Sequence, residues 1–166
     1  MKKLFLMSML LMSYFAKAQN DSPCNKIEFN NDEVRNYKSY TTPIDINSSD
    51  MVYINKIIEP NKKPVYYLYF RVNESTGKTV NGLYIILKNG KRISRPNEEI
   101  DLEVDNEEVS IEHPGFKQSV MIELSQSELL TLKSSPIEKY AISYLTESIY
   151  DANDLYSMFL CLLDKK

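Results

Sequence analysis

Val65-Tyr66-Tyr67-Leu68-Tyr69-Phe70-Arg71-Val72 is the stretch on which the fold turns. Successive side chains of a strand point to opposite sides, so Tyr66, Leu68, Phe70 and Val72 share one face and Val65, Tyr67, Tyr69 and Arg71 the other. Both faces are largely apolar, which places this strand centrally in a sheet. The face with Leu68, Phe70 and Val72 carries no charge and should turn inward. Tyr67, Tyr69 and Arg71 are then left at the surface or under a layer of helix.

Working outward, residues 51–58 are β-rich and reach the central strand through the turn Glu59-Pro60-Asn61-Lys62-Lys63-Pro64. Beyond Glu74-Ser75-Thr76-Gly77, residues 83–88 and 91–95 flank Asn89-Gly90. An Asn-Gly pair between two β-rich runs marks a tight hairpin, whose two-residue form needs positive φ at both positions. Ile100, Leu102 and Val104 alternate with Asp101, Glu103 and Asp105, the pattern of a half-buried strand with a solvated acidic face. Residues 109–112, the turn His113-Pro114-Gly115 and residues 116–124 read as a further hairpin. About seven to nine short strands at this spacing predict a mainly β domain, a sandwich or curved antiparallel sheet.

The chain then changes style. Ser125-Gln126-Ser127-Glu128 fits a capping box ahead of Leu129, Leu130 and Leu132, and Pro136 limits that helix to about two turns. Residues 137–145 return to a strand with Tyr140, Ile142 and Tyr144 on one side. Ile149, Ala152, Tyr156, Phe159 and Leu163 stand at helical spacing, which predicts a C-terminal helix over 149–163. The domain reading is therefore residues 1–18 as a signal peptide, 19–50 as a polar segment with weak strands at 27–29 and 37–40, and 51–166 as the β-rich domain with its helix.

The signal rests on Lys2 and Lys3, an apolar run from Leu4 to Phe15, and Ala16-Lys17-Ala18 as a small-x-small cleavage site. That run is shorter than the roughly 20 residues needed to span a bilayer. Asp21-Ser22-Pro23 before Cys24 argues against lipidation. Cleavage after Ala18 removes Lys2, Lys3 and Lys17, so the formal charge falls from −3 to −6. An acidic chain disfavours nucleic acid and anionic membranes as partners. The signal ending in Ala-Lys-Ala-Gln, the Tyr-rich strand and the capped helix followed by a strand resemble the general style of small exported proteins of Gram-negative bacteria. That resemblance implies a periplasmic or secreted location and assigns no catalytic residue.

The only two cysteines are Cys24 and Cys161. In an exported protein an even count reads as a disulfide, and domain termini often lie close together. The rival readings are a buried free Cys161 and a reactive Cys24, and the latter would need His113 as its base.

Four groups of residues could carry chemistry. Glu98, Glu99, Asp101, Glu103, Asp105, Glu107 and Glu108 are oxygen-rich, but core residues interleave and no Gly forms a calcium loop, so a solvated strand face is expected and no metal or other cofactor. His113, the single histidine, sits in a turn, with no Gly-x-Ser-x-Gly elbow to support a triad. Lys88, Lys91, Arg92 and Arg95 surround Asn89-Gly90, where they could grip an anionic group or form surface ion pairs. Tyrosine is abundant, with 12 against 6 Phe and no Trp, and Tyr67, Tyr69, Arg71 and Tyr84 would make a rigid amphipathic patch if their strand faces align. The function expected is an exported, non-enzymatic binding protein that engages a protein or cell-envelope partner through these residues, of which an immunity or inhibitor protein is one form. A small periplasmic hydrolase using His113, or a structural envelope component, are the alternatives.

Overall fold

The computed structural model describes residues 22–43, 52–72, 79–104, 118–143 and 145–166. The fold is mainly β. Among the described residues, nine strands are β1 (Glu28–Asp32), β2 (Tyr37–Thr41), β3 (Val52–Ile58), β4 (Val65–Val72), β5 (Thr79–Leu87), β6 (Arg92–Val104), β7 (Gln118–Glu123), β8 (Ile137–Ile142) and β9 (Leu145–Ser148). The same residues form two helices, α1 (Gln126–Leu132) and α2 (Ala152–Asp164), and a 3-10 turn over Pro23–Lys26. Every pairing is antiparallel, in the order β1-β2-β3-β4-β7-β6-β5-β8-β9.

The central strand behaves as its alternation predicts. Leu68 and Phe70 on β4 are fully enclosed, flanked in register by Ile54 and Val52 on β3 and by Ile122 and Val120 on β7. Full burial of side chains this large stabilises by about 1.5 to 3 kcal/mol each, the main energy of the sheet. The ladder forms two sheets that share β6, whose first part pairs with β5 and whose residues Leu102 to Val104 pair with β7. Phe70 and Tyr140 lie four strands apart along the ladder, yet their ring centroids are 4.5 Å apart. That contact requires the two inner faces to close on one another as in a sandwich.

A bulge bends the shared strand. Leu83 pairs with Arg95 and Asn81 with Glu99, so Pro96, Asn97 and Glu98 stand opposite Gly82 alone. Gly82 has φ +81°, and a Cβ there would come within 3.0 Å of the Pro96 carbonyl oxygen. A proline inside β6 is tolerated at such an irregularity because its missing N–H leaves no ladder bond to lose.

The Asn89-Gly90 hairpin forms, with a different turn from the one expected. Only Gly90 has positive φ (80°), Gly90 N–H donates to the Leu87 carbonyl at 2.9 Å, and Leu87 N–H donates to the Lys91 carbonyl at 2.9 Å. This is a three-residue loop with a left-handed glycine, the next commonest hairpin solution. The Asn89 side chain closes it by accepting from Lys91 N–H at 3.0 Å and donating to Ser134 Oγ at 3.0 Å.

The polar N-terminal segment supplies β1 and β2, which extend the sheet beyond β3. Their pattern is weak because β1 forms the edge, with Phe29 56% exposed against the half-buried ring of Tyr40. Thr42 is buried and fastens the join, its Oγ1 accepting from Ile54 N–H at 2.9 Å while its own N–H donates to the Ile54 carbonyl at 3.0 Å.

The expected strand over 137–145 divides at Ser143 (φ 53°) into β8 and β9, and no glycine advertises that turn. The sheet also claims Ile149, whose N–H donates to the Glu138 carbonyl at 3.0 Å, so α2 begins at Ala152 rather than at 149. Its buried stripe is Ala152, Leu155, Met158, Phe159 and Leu162, which plugs the mouth of the sandwich beside β3 and β8. The crevice left between α1, α2, Ile54 and Ile137 is about 10 Å³, room for no more than about one water.

Candidate functional site

Cys24 and Cys161 form a disulfide with Cα atoms 5.2 Å apart, tying the 3-10 turn to α2. A second fastening escaped the sequence reading. Val52, Ile54 and Lys56 alternate onto the inner face of β3, and Lys56 is 2% exposed. Its ammonium donates to the carbonyls of Leu162 (3.2 Å), Leu163 (2.9 Å) and Lys165 (2.6 Å). Three donors thus meet acceptors at the end of a helix, where the last carbonyls lack partners and the dipole is negative. Burial lowers the Lys56 pKa from its usual value, and the Asp164 carboxylate opposes that shift. Tyr66 lies beneath, its ring centroid 5.5 Å from the ammonium, and burial raises the pKa of its phenol. The signal available in the sequence was a lone lysine on the apolar period of β3.

α2 therefore meets β3 on the inner face, and Tyr67 and Tyr69 lie on the outer one. Tyr69 stacks on Tyr53 across β3 and β4, with centroids 4.3 Å apart and planes within 8°. Tyr67 pairs in register with Asn55 on one side and Glu123 on the other. Burial, then the Glu123 and Glu59 carboxylates, raise its pKa, so it presents a neutral hydroxyl at ordinary pH. Met121, in register with Tyr69, is 38% exposed. Tyr53, Tyr67 and Tyr69 are all half-buried, which makes the face a shallow, rigid, amphipathic surface.

Arg71 occupies the register position opposite Ser119, further along β4. Tyr84 is 39% exposed on β5, in the other sheet. Since the inner faces of a sandwich meet, the outer faces look in opposite directions, and Tyr84 does not join Tyr67 and Tyr69 in one patch.

Arg95 leaves the basic hairpin group to take a structural post where β6 and β7 separate. Its guanidinium grips Glu128 through both carboxylate oxygens (2.8 and 2.7 Å), Glu98 at 2.9 Å and the Glu123 carbonyl at 2.7 Å. Glu128 is also the third residue of the expected capping box, accepting from Ser125 N–H at 2.8 Å. Burial opposes its ionisation, but the hydrogen bonds from Arg95 and Ser125 outweigh it and hold the carboxyl down at about 2.

A carboxyl so depressed contributes stability that is complete above its unfolded pKa near 4.5 and is lost as pH falls toward 2. Urea titrations across that window should show a loss on the order of 2 to 3 kcal/mol, which Glu128→Gln removes. An identical acid profile in the variant would place the acid-sensitive group elsewhere.

Lys88 donates to Asn153 Oδ1 at 3.0 Å, joining the hairpin to α2. The signal segment, His113, and the acidic residues from Asp105 to Glu108 lie outside the described residues, as do the side chains of Asp101 and Glu103. Among the described residues no helix is long and apolar enough to cross a membrane. Compared with protein-family models, with curated proteins and with solved structures, the chain matches none.

Proposed function

We propose that this is an exported, non-enzymatic binding protein that engages a protein or cell-envelope partner through the outer face of β3, β4 and β7. The observation that carries the reading is the stacked Tyr53–Tyr69 pair beside Tyr67 and Met121, on the side of the sheet away from α2. Tyrosines held by cross-strand packing lose little side-chain entropy on binding, the property that enriches them at interface hot spots. Export is supported by the start of the chain and by a disulfide, which persists in oxidising compartments. An immunity or inhibitor role is one form such a partner-capping face could take.

The immobilised protein should retain a partner from an envelope extract, and Tyr69→Ala should weaken that retention by about 2 kcal/mol. The stability cost should be smaller, about 1 kcal/mol, because the ring is half-exposed and the inner core is untouched. Equal retention by Tyr69→Ala and the native protein would end the assignment of this face. Mass spectrometry of the native protein should find Gln19 at its N-terminus, and a cytosolic product retaining residues 1–18 would end the export reading.

A further inference from the structure

The outer face of β3, β4 and β7 carries more than its tyrosines. Register places Glu28, Thr41, Asn55, Tyr67 and Glu123 in one row across β1, β2, β3, β4 and β7. Glu28 and Glu123 are exposed, and the three residues between them are half-buried. Among the described residues neither carboxylate forms an ion pair. The side-chain oxygen of Asn55 is enclosed and has no hydrogen-bond partner. Burial and the carboxylates of Glu123 and Glu59 keep the Tyr67 hydroxyl neutral, and Glu59 is itself paired with Lys62. The row therefore holds two charges of one sign and an acceptor without a donor, a combination that folded proteins seldom leave unmet.

The cations around this row are turned away or already engaged. Lys56 alternates inward from Asn55 to the end of α2. Arg95 donates to the Glu123 backbone carbonyl, but Glu98 and Glu128 hold its charge. Lys63 and Arg71, the nearest cations to Tyr67 along the chain, are each four residues away, about 13 Å on an extended strand. Arg71 also shares its row with Glu103.

We propose that this row is the contact for a basic segment of the partner, which lays arginine side chains over Tyr67 and against Glu28 and Glu123. The inference rests on the reading of this face as a binding surface and names the chemistry of its occupant. Unpaired carboxylates on a chain of formal charge −3 select a cation. Glu28 and Glu123 are four interstrand steps apart, about 19 Å, so they cannot share one metal ion. An extended peptide rising about 3.3 Å per residue covers that span in about six residues, and the even count keeps both ends on one side. Arginine suits the row because its planar guanidinium stacks on a phenol ring while its N–H fork bonds a carboxylate. Its remaining donors supply the Asn55 oxygen, through a bridging water where the contact is not direct.

The test uses the full exported protein at low ionic strength and a labelled Gly/Ser peptide carrying two arginines six positions apart, followed by fluorescence anisotropy. Binding is expected, weakening as salt is added, and the same peptide with glutamine at both positions should not bind. Glu28→Gln combined with Glu123→Gln should weaken binding by about tenfold or more, with an unchanged melting temperature. Glu147→Gln, an exposed carboxylate on β9 in the other sheet, should leave it unchanged. Asn55→Leu, close in shape, should raise the melting temperature by removing the orphaned acceptor and still weaken the peptide, a pairing that a merely structural residue would not give. No binding of the arginine peptide, equal binding of the glutamine peptide, full binding by the Glu28 and Glu123 double variant, or an equal loss in Glu147→Gln would each overturn the proposal. If retention of an envelope partner falls with Tyr69→Ala but not with the double variant, this inference fails while the reading of the tyrosine face stands.

Discussion

Reduction of the Cys24–Cys161 disulfide should lower the stability of the folded protein by about 4 to 5 kcal/mol. The bond closes a loop with a sequence separation of 137, so it restricts nearly every described residue in the unfolded chain. In the chain-entropy picture the effect grows with the logarithm of loop length and is close to its ceiling here. Urea unfolding with and without reductant measures it, as does Cys24→Ser paired with Cys161→Ser. In the oxidised protein, thiol labelling before unfolding should find neither cysteine reactive. Ready labelling of both in the folded state, or an unchanged unfolding midpoint after reduction, would remove the staple from the account.

Lys56→Met is expected to cost about 3 kcal/mol or more. Methionine retains most of the aliphatic stem beside Tyr66, its register partner, but withdraws all three donors from the end of α2. The Leu162 carbonyl is the most enclosed acceptor, and an unpaired buried acceptor costs about 1 to 3 kcal/mol. The Leu163 and Lys165 carbonyls are partly accessible and can recruit water, which keeps the total below three full penalties. Hydrogen exchange gives the local readout: the last turn of α2 should lose protection before the β4 and β7 amides. A loss under about 0.5 kcal/mol, the range of ordinary surface changes, would mean that the disulfide and the apolar stripe hold α2 alone.

What could be read from the sequence by itself was local. The strand over 65–72, the inward turn of Leu68 and Phe70, and the capping box of Ser125 and Glu128 follow from alternation and short spacing, which act between near neighbours in the chain. The disulfide was legible because only two cysteines exist. Tertiary structure decided the features that depend on distant partners. Lys56 meets α2 across more than a hundred residues, and nothing adjacent to it records that meeting. Arg95 looked like one more cation of a basic hairpin until the divergence of β6 from β7 brought Glu128 and the Glu123 carbonyl around it. Tyr84 parts from Tyr67 and Tyr69 for the same reason. Alternation within a strand assigns a residue to one of two sides, and only the closing of one sheet on the other decides which way each side faces.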